Sequence, residues 1–462
     1  MSIQYPLIPT EQFHQRRHRL QIMMAEPILL MGNCEQSRNF PANPLPFRQD
    51  STFWYFTGLN QPNAAWFSSP SEDILFLPAQ DPSDVLWHGP QESNDEIARR
   101  LGFSNWLPKE SLSAFITKHP NVHSIAIADI ETNQWLSQVL GGIFVFGLHN
   151  GSEELIDCII RMRRILDDAE LEQLRWTAKI TDKAHRSAMA QTFINGHELD
   201  VAAAFHHPIH KAGLNTAYHS IVTVDGEILH NHAYKNTLRN GDLLLLDGGA
   251  ESPYGYATDV TRTWPVSGQF TPQQSSAYQA VLQSQEQGID MVRPGNRYRD
   301  IHMAVALTLA EFLVDEQLLI GSPTDLVAQG AHALFFPHGV GHLLGLDVHD
   351  MENFGDRAAY AKGRTRSPQF GTGYLRMDMD LEPNMVVTIE PGFYICPAIF
   401  SDNTLYETFK NIVNWDRLEQ WKEFGGIRIE DDIRCTADTP ENITAMIPKK
   451  IEALTTIVGS GH

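Results

Sequence analysis

Residues 241–266 read GDLLLLDGGAESPYGYATDVTRTWPV, two apolar runs separated by Ser252-Pro253-Tyr254-Gly255. Apolar runs that flank such turn residues predict an antiparallel hairpin, here with strands at 242–250 and 256–266. Asp247 ends the first strand and Asp259 lies inside the second, so pairing brings the two carboxylates together within about one residue of register. Unpaired like charges at that spacing are destabilising, and a bound cation removes the problem.

Two further strand-like runs end in acid. In MVVTIEPG the β-branched residues stop at Glu390, before the turn Pro391-Gly392. In GGIRIEDDI, alternation puts Arg428, Glu430 and Asp432 on one face and Ile427, Ile429 and Ile433 on the other. On these residues alone, a buried ion pair between Arg428 and Glu430 or a neighbour stays open as the plain alternative to a metal ligand.

Residues 338–350, HGVGHLLGLDVHD, hold His338, His342 and His349. The i, i+4 spacing of the first two resembles a helical zinc site, but H-E-x-x-H needs a glutamate where this chain has Gly339. Gly339, Gly341 and Gly345 also disfavour a helix and allow close backbone approach. A bent strand or loop is expected, so any metal ligands beyond His342 come from elsewhere in the chain. Asp247, Asp259, His342, Glu390 and Glu430 make an oxygen-rich set with one imidazole. Its four carboxylates balance two divalent ions, which suits a two-metal centre. Hard oxygen ligands favour manganese, with cobalt or zinc as alternatives, and a water between two such ions becomes a hydroxide nucleophile.

The rest of the chain frames this set. A length of 462 residues predicts about two domains: an α/β domain over 1–165 and an α+β domain over 166–462. The aromatic stretch 47–66 is expected in the core of the first. Helices are expected over 153–193, from about 197, and after Thr271, where Pro272 and Gln274 complete a capping signal. A further strand is expected at 219–225. The net charge of −21 argues against a nucleic-acid partner. The absence of an apolar run of about 18 residues argues against a membrane span. No secretory signal is recognised, and Cys34, Cys158, Cys396 and Cys435 form no C-x-x-C pair, so a cytoplasmic protein with reduced thiols is expected.

Taken in order, FWYFTG (53–58), ILHNH (228–232), the two aspartates, HGVGHLLGLDVHD, TIEPGFYI (388–395) and FGGIRIEDD (424–432) resemble the proline-selective pita-bread metallopeptidases, aminopeptidase P and prolidase. The resemblance implies an α+β pita-bread catalytic domain behind a smaller creatinase-like α/β domain. It implies that Asp259 and Glu430 bridge two metals, that Asp247 holds one, and that His342 and Glu390 hold the other. Glu390 would shuttle the proton. His230, His338 and His349 would line the substrate pocket, with His349 steadying the carbonyl oxygen, and Arg428 would orient Glu430 or Asp259. Creatinase and binding modules of the same fold have degraded ligand sets, whereas all five positions are filled here.

Tyr374-Leu375-Arg376 resembles a prolidase feature in which arginine receives the dipeptide's C-terminal carboxylate. Together with residues 414–426 and Gly341 it favours an Xaa-Pro dipeptidase, while FWYFTG looks more like aminopeptidase P acting on longer peptides. Trp87 resembles a family position that reaches a neighbouring subunit, which implies a homodimer or homotetramer.

Overall fold

The computed structural model describes residues 5–461 and divides into two compact units. One takes Leu7–Arg164 with Met351–Ala358; the other takes Ile165–Asp350, the chain from Ala359 onward, and the first residues. The observed division therefore differs from a single cut at 165/166 at Ile165, at the start of the chain and at 351–358. Tyr5 packs edge-on against Trp176 at 6.2 Å and the Pro6 carbonyl accepts from Gln173 at 2.7 Å, which holds the start of the chain on the catalytic unit. Arg357 pairs with Asp157 at 2.5 Å and Glu153 at 2.9 Å, which holds 351–358 on the other unit.

The smaller unit is built on a mixed sheet of β1 (Ile28–Met31), β2 (Ala65–Ser69), β3 (Glu72–Leu77), β4 (Asn105–Pro108) and β5 (His123–Ser124), in the order β4-β3-β2-β1-β5. Alternate residues point to one face, so Leu29 and Met31, Ala65 and Phe67, and Ile74 and Phe76 share a core with Leu112, Ile116 and Leu136. The FWYFTG stretch forms a short helix, Ser51–Thr57. Asp50 accepts the Phe53 N–H at its start and Gly58, at φ 71°, ends it. All four of its aromatic rings are buried.

In the catalytic unit a capping box of Asp167 and Glu170 opens the helix Asp168–Gln191, and a second, of Thr271 and Gln274, opens Pro272–Asp290. Helices Glu198–Lys211 and Tyr298–Asp315 complete the main helical set. The strands are β6 (Asn215–Thr216), β7 (Ile221–Thr223), β8 (Leu243–Asp247), β9 (Ala250–Glu251), β10 (Thr261–Pro265), β11 (Val386–Ile389), β12 (Gly392–Tyr394), β13 (Gly426–Arg428), β14 (Asp431–Arg434) and β15 (Glu441–Asn442). They pair as β10-β8-β7, β11-β14-β15, β12-β13 and β6-β9.

Strands β8 and β10 form the expected antiparallel hairpin, with Asp247 opposite Thr261. Asp259 lies two residues before Thr261, so the carboxylates are offset by more than the one position expected. The cause is local: after Asp247 the chain turns off to pair β9 with β6, and Gly249 backs so tightly onto Thr258 that a Cβ would sit 1.7 Å from its carbonyl oxygen. The period of two still leaves Asp259 on the face of Thr261 and Asp247. FGGIRIEDD is broken rather than continuous: β13 pairs with β12 and β14 with β11, and Glu430 sits at the break. Among the described residues no helix is long and apolar enough to cross a membrane.

Candidate metal centre

Five segments converge on a cavity of 390 Å³ in the catalytic unit. Asp247 reaches it from the end of β8, Asp259 from the turn into β10, Glu390 from just after β11, Glu430 from the gap before β14, and His342 from the glycine-rich segment 338–350, which forms no helix. Potential ligand atoms of Asp247, Asp259 and Glu430 lie within 4.8 Å of one another, and so do those of His342, Glu390 and Glu430. The two groups share Glu430. Asp259 joins them, because its Oδ2 is 3.3 Å from His342 Nε2, which is itself 3.8 Å from Glu390 Oε1.

His342 is set for coordination by its own backbone. Its Nδ1 lies 2.9 Å from the Leu343 carbonyl; a carbonyl only accepts, so Nδ1 carries the proton and Nε2 turns its lone pair to the carboxylates. Gly341 makes this approach possible. At φ 153° it passes so close to Thr388 and Tyr298 that a Cβ would meet the Thr388 carbonyl oxygen at 2.3 Å and the Tyr298 hydroxyl at 2.4 Å.

The charge in the cage is poorly compensated by protein. Burial pushes Glu390 up to about 8, even though Arg428 opposes the rise. Burial and the neighbouring Asp259 and Glu390 carry Glu430 well above the usual carboxylate range. Asp247 is raised by burial against the pull of Arg428. Burial would raise Asp259 as well, but its close approach to His342 and the Tyr218 hydroxyl outweigh that and hold it low. Carboxylates this crowded either keep protons or bind cations, and the donor set fits two divalent ions.

Several supporting groups were not read from sequence. The Tyr218 hydroxyl lies 2.6 Å from Asp247 Oδ1 and 2.5 Å from Asp259 Oδ1, tying the two aspartates together. Nothing in its local pattern, two residues ahead of the buried Ser220-Ile221, marks it. Arg428 does not touch Glu430 or Asp259 directly. It donates to Asp247 at 2.6 Å, to Thr261 at 3.0 Å and to Tyr394 at 3.1 Å, and it reaches Glu430 only through Thr261, whose hydroxyl donates to Glu430 at 2.7 Å. The buried Arg428–Glu430 pair is thus replaced by an Arg428–Asp247 pair. Asp432, fully buried, accepts the Asp259 N–H at 3.2 Å; its alternation with Arg428 and Glu430 was the available signal.

The remaining predicted residues line the same cavity. His338 is pushed down to about 3 by burial and by Arg428, so it is neutral. Its Nδ1 donates to Gly339 O at 2.8 Å and its Nε2 accepts from Tyr394 at 2.9 Å, which leaves both nitrogens occupied by protein. His349 packs against His342 at 4.2 Å between ring centroids, and Arg376 lies 3.4 Å from His349 Nδ1. His230 is exposed at the cavity surface, and burial of part of its ring, followed by Arg428, lowers it.

A carboxylate cage with imidazoles at its rim, in a unit of this topology, defines a metal-dependent hydrolase. The profile described as metallopeptidase family M24 matches residues 172–437, and that of the aminopeptidase P N-terminal domain matches residues 13–126. The Xaa-Pro aminopeptidase of Escherichia coli (strain K12) is 31% identical, with 97% of this chain and 98% of that protein covered. The Xaa-Pro dipeptidase of Homo sapiens is 28% identical, over 92% and 87%. Among solved structures, the aminopeptidase PepP of Pseudomonas aeruginosa gives a TM-score of 0.82 at 27% identity, covering 98% of this chain and 99% of that one. Zinc-substituted E. coli aminopeptidase P in complex with product gives 0.80 at 29% identity, with the same coverage. The chain belongs to metallopeptidase family M24, among its Xaa-Pro aminopeptidases and dipeptidases.

Proposed function

We propose that this chain is an Xaa-Pro aminopeptidase, removing the residue ahead of a proline from the free N-terminus of a peptide. The observation that carries this is the pair of ligand groups sharing Glu430, with Asp259 against both. Asp259 and Glu430 would serve both of two divalent ions, Asp247 would hold one of them, and His342 and Glu390 would hold the other. Manganese suits the hard carboxylate oxygens best, with cobalt and zinc as alternatives. When bound, the ions supply Lewis acidity and an acidified water.

The protein's own groups do the rest. An Xaa-Pro bond has no N–H and resists proteases that need one. Glu390 accepts the proton of the attacking water and passes it to the departing prolyl nitrogen. His349 donates to the carbonyl oxygen as charge develops there. Asp247, fixed by Arg428 and Tyr218, faces the substrate ammonium and so restricts cutting to the first bond. His230 and His338 shape the wall around the proline.

The dipeptidase reading, favoured by the sequence motifs, is second. The compared solved structures are aminopeptidases, and so are the relatives at 31% identity, which supports the longer-peptide activity. What favours the dipeptidase is Arg376, placed in the cavity beside His349. Turnover of an Xaa-Pro dipeptide, its C-terminal amide and an Xaa-Pro-Xaa tripeptide by the manganese-loaded protein decides between them. An aminopeptidase cuts the amide and the tripeptide at least as well as the free dipeptide. Absence of turnover on all three overturns both readings. The same reading includes a homodimer or homotetramer, supported by the 74% exposed Trp87 beside exposed Val85 and Leu86. It also includes a cytoplasmic location, supported by four free cysteines.

A further inference from the structure

The wall of the cavity beside Asp247 carries two imidazoles that the reaction does not use. His219 and His232 stack with ring centroids 4.4 Å apart and planes at 26°, and Tyr234 meets His219 edge-on at 6.0 Å. Tyr234 is anchored in turn, its hydroxyl donating to the Ser220 carbonyl at 2.5 Å. Both histidines line the cavity together with Ile221 and Leu229, and both are exposed. Neither has a hydrogen-bond partner among the described residues. This separates them from His338, whose two nitrogens are taken, and from His342, whose Nδ1 is taken.

Their position says what they face. Tyr218, which ties Asp247 to Asp259, immediately precedes His219 in the chain. On the proposed Xaa-Pro activity, Asp247 faces the substrate ammonium. The first side chain branches from the carbon that bears this ammonium, and His219, Ile221, Leu229 and His232 line the same cavity as Asp247. We propose that His219 and His232 form the subsite for the first residue's side chain and select aspartate or glutamate there. An imidazole N–H offers a donor to a carboxylate oxygen. Ile221 and Leu229 give the methylenes of a glutamate an apolar surface. The carboxylates of this cavity are the metal-cage ligands, so with ions bound the wall presents donors rather than unbalanced negative charge.

The test uses manganese-loaded full-length protein and three tripeptides, Glu-Pro-Ala, Gln-Pro-Ala and Leu-Pro-Ala, with kcat/KM as the readout. The wild type is expected to favour Glu over Leu by about tenfold, the size of a charge-assisted hydrogen bond, with Gln between them. The double variant His219→Leu/His232→Leu is expected to bring the Glu/Leu ratio to about one or below. If that variant does not fold, His232→Leu alone, at the exposed edge of the stack, is expected to lower the ratio in the same direction. A wild type with no Glu preference, or a ratio that the substitutions leave unchanged, overturns the subsite while turnover of Leu-Pro-Ala keeps the Xaa-Pro reading intact. Failure of the wild type on all three peptides overturns that reading and this inference with it.

Discussion

Arg428 Nη2 lies 2.6 Å from Asp247 Oδ2, with the two side chains 5% and 13% exposed. The same guanidinium holds Thr261, and through it Glu430, so one cation positions two cage carboxylates from different segments. Burial lifts Asp247 against the pull of Arg428. Removing one partner of a buried pair costs about 3–5 kcal/mol. Arg428→Ala is therefore expected to lower the thermal stability of chelator-treated protein and to abolish most turnover. Arg428→Lys should recover part of the stability but little activity, since it cannot also reach Thr261 and Tyr394. Unchanged melting of the alanine variant would show that the pair is not what fixes Asp247.

Tyr218→Phe removes the hydroxyl shared by Asp247 and Asp259 and leaves the ring. Loss of a group that orients ligands costs about 10–100-fold in metal affinity or activity. A manganese titration of activity should shift by that factor, with circular dichroism unchanged; a variant that titrates like wild type would remove Tyr218 from the centre.

The acid cluster also predicts how metal-free protein responds to pH. Glu390 is raised to about 8 in the fold, above its unfolded range of about 4.3. The folded state then binds more protons than the unfolded one between those values, so stability falls as pH rises through this window. Chelator-treated protein should melt lower at pH 8 than at pH 5.5, and manganese should abolish most of that difference. A chelated protein at least as stable at pH 8 would contradict the uncompensated charge.

Arg376 touches His349, and on the aminopeptidase reading its work is to hold that imidazole. Arg376→Ala should then cost the same factor in kcat/KM on an Xaa-Pro dipeptide and on its C-terminal amide. A loss confined to the free dipeptide would move the assignment to a dipeptidase.

The convergence of these side chains was legible because each carboxylate ends or interrupts an apolar, β-branched run, and a charge placed there needs a reason. The glycines around His342 likewise ruled out a helix, and Gly341 against Thr388 shows why. The capping box at Thr271 was readable for the same reason, being a local signal with a local partner. What stayed hidden was pairing over long separations. Arg428 and Asp247 lie on strands that the sequence cannot bring together, so the sequence points Arg428 at Glu430 or Asp259 instead. Tyr218 has no periodicity to betray it. The offset between Asp247 and Asp259 arises from the close backing of Gly249 onto Thr258, which depends on β9 finding β6. The pieces at 5–6 and 351–358 depart from a simple two-part division through long-range contacts such as Tyr5 on Trp176 and Arg357 on Asp157 and Glu153, which no local pattern announces.

Elemental analysis of protein equilibrated with manganese, wild type beside Asp259→Asn/Glu430→Gln, tests the shared cage most directly. Two ions per chain are predicted for the wild type, with the double variant losing both bound manganese and turnover on an Xaa-Pro peptide. A wild type that retains no manganese, or a double variant that keeps two ions and full turnover, would contradict it.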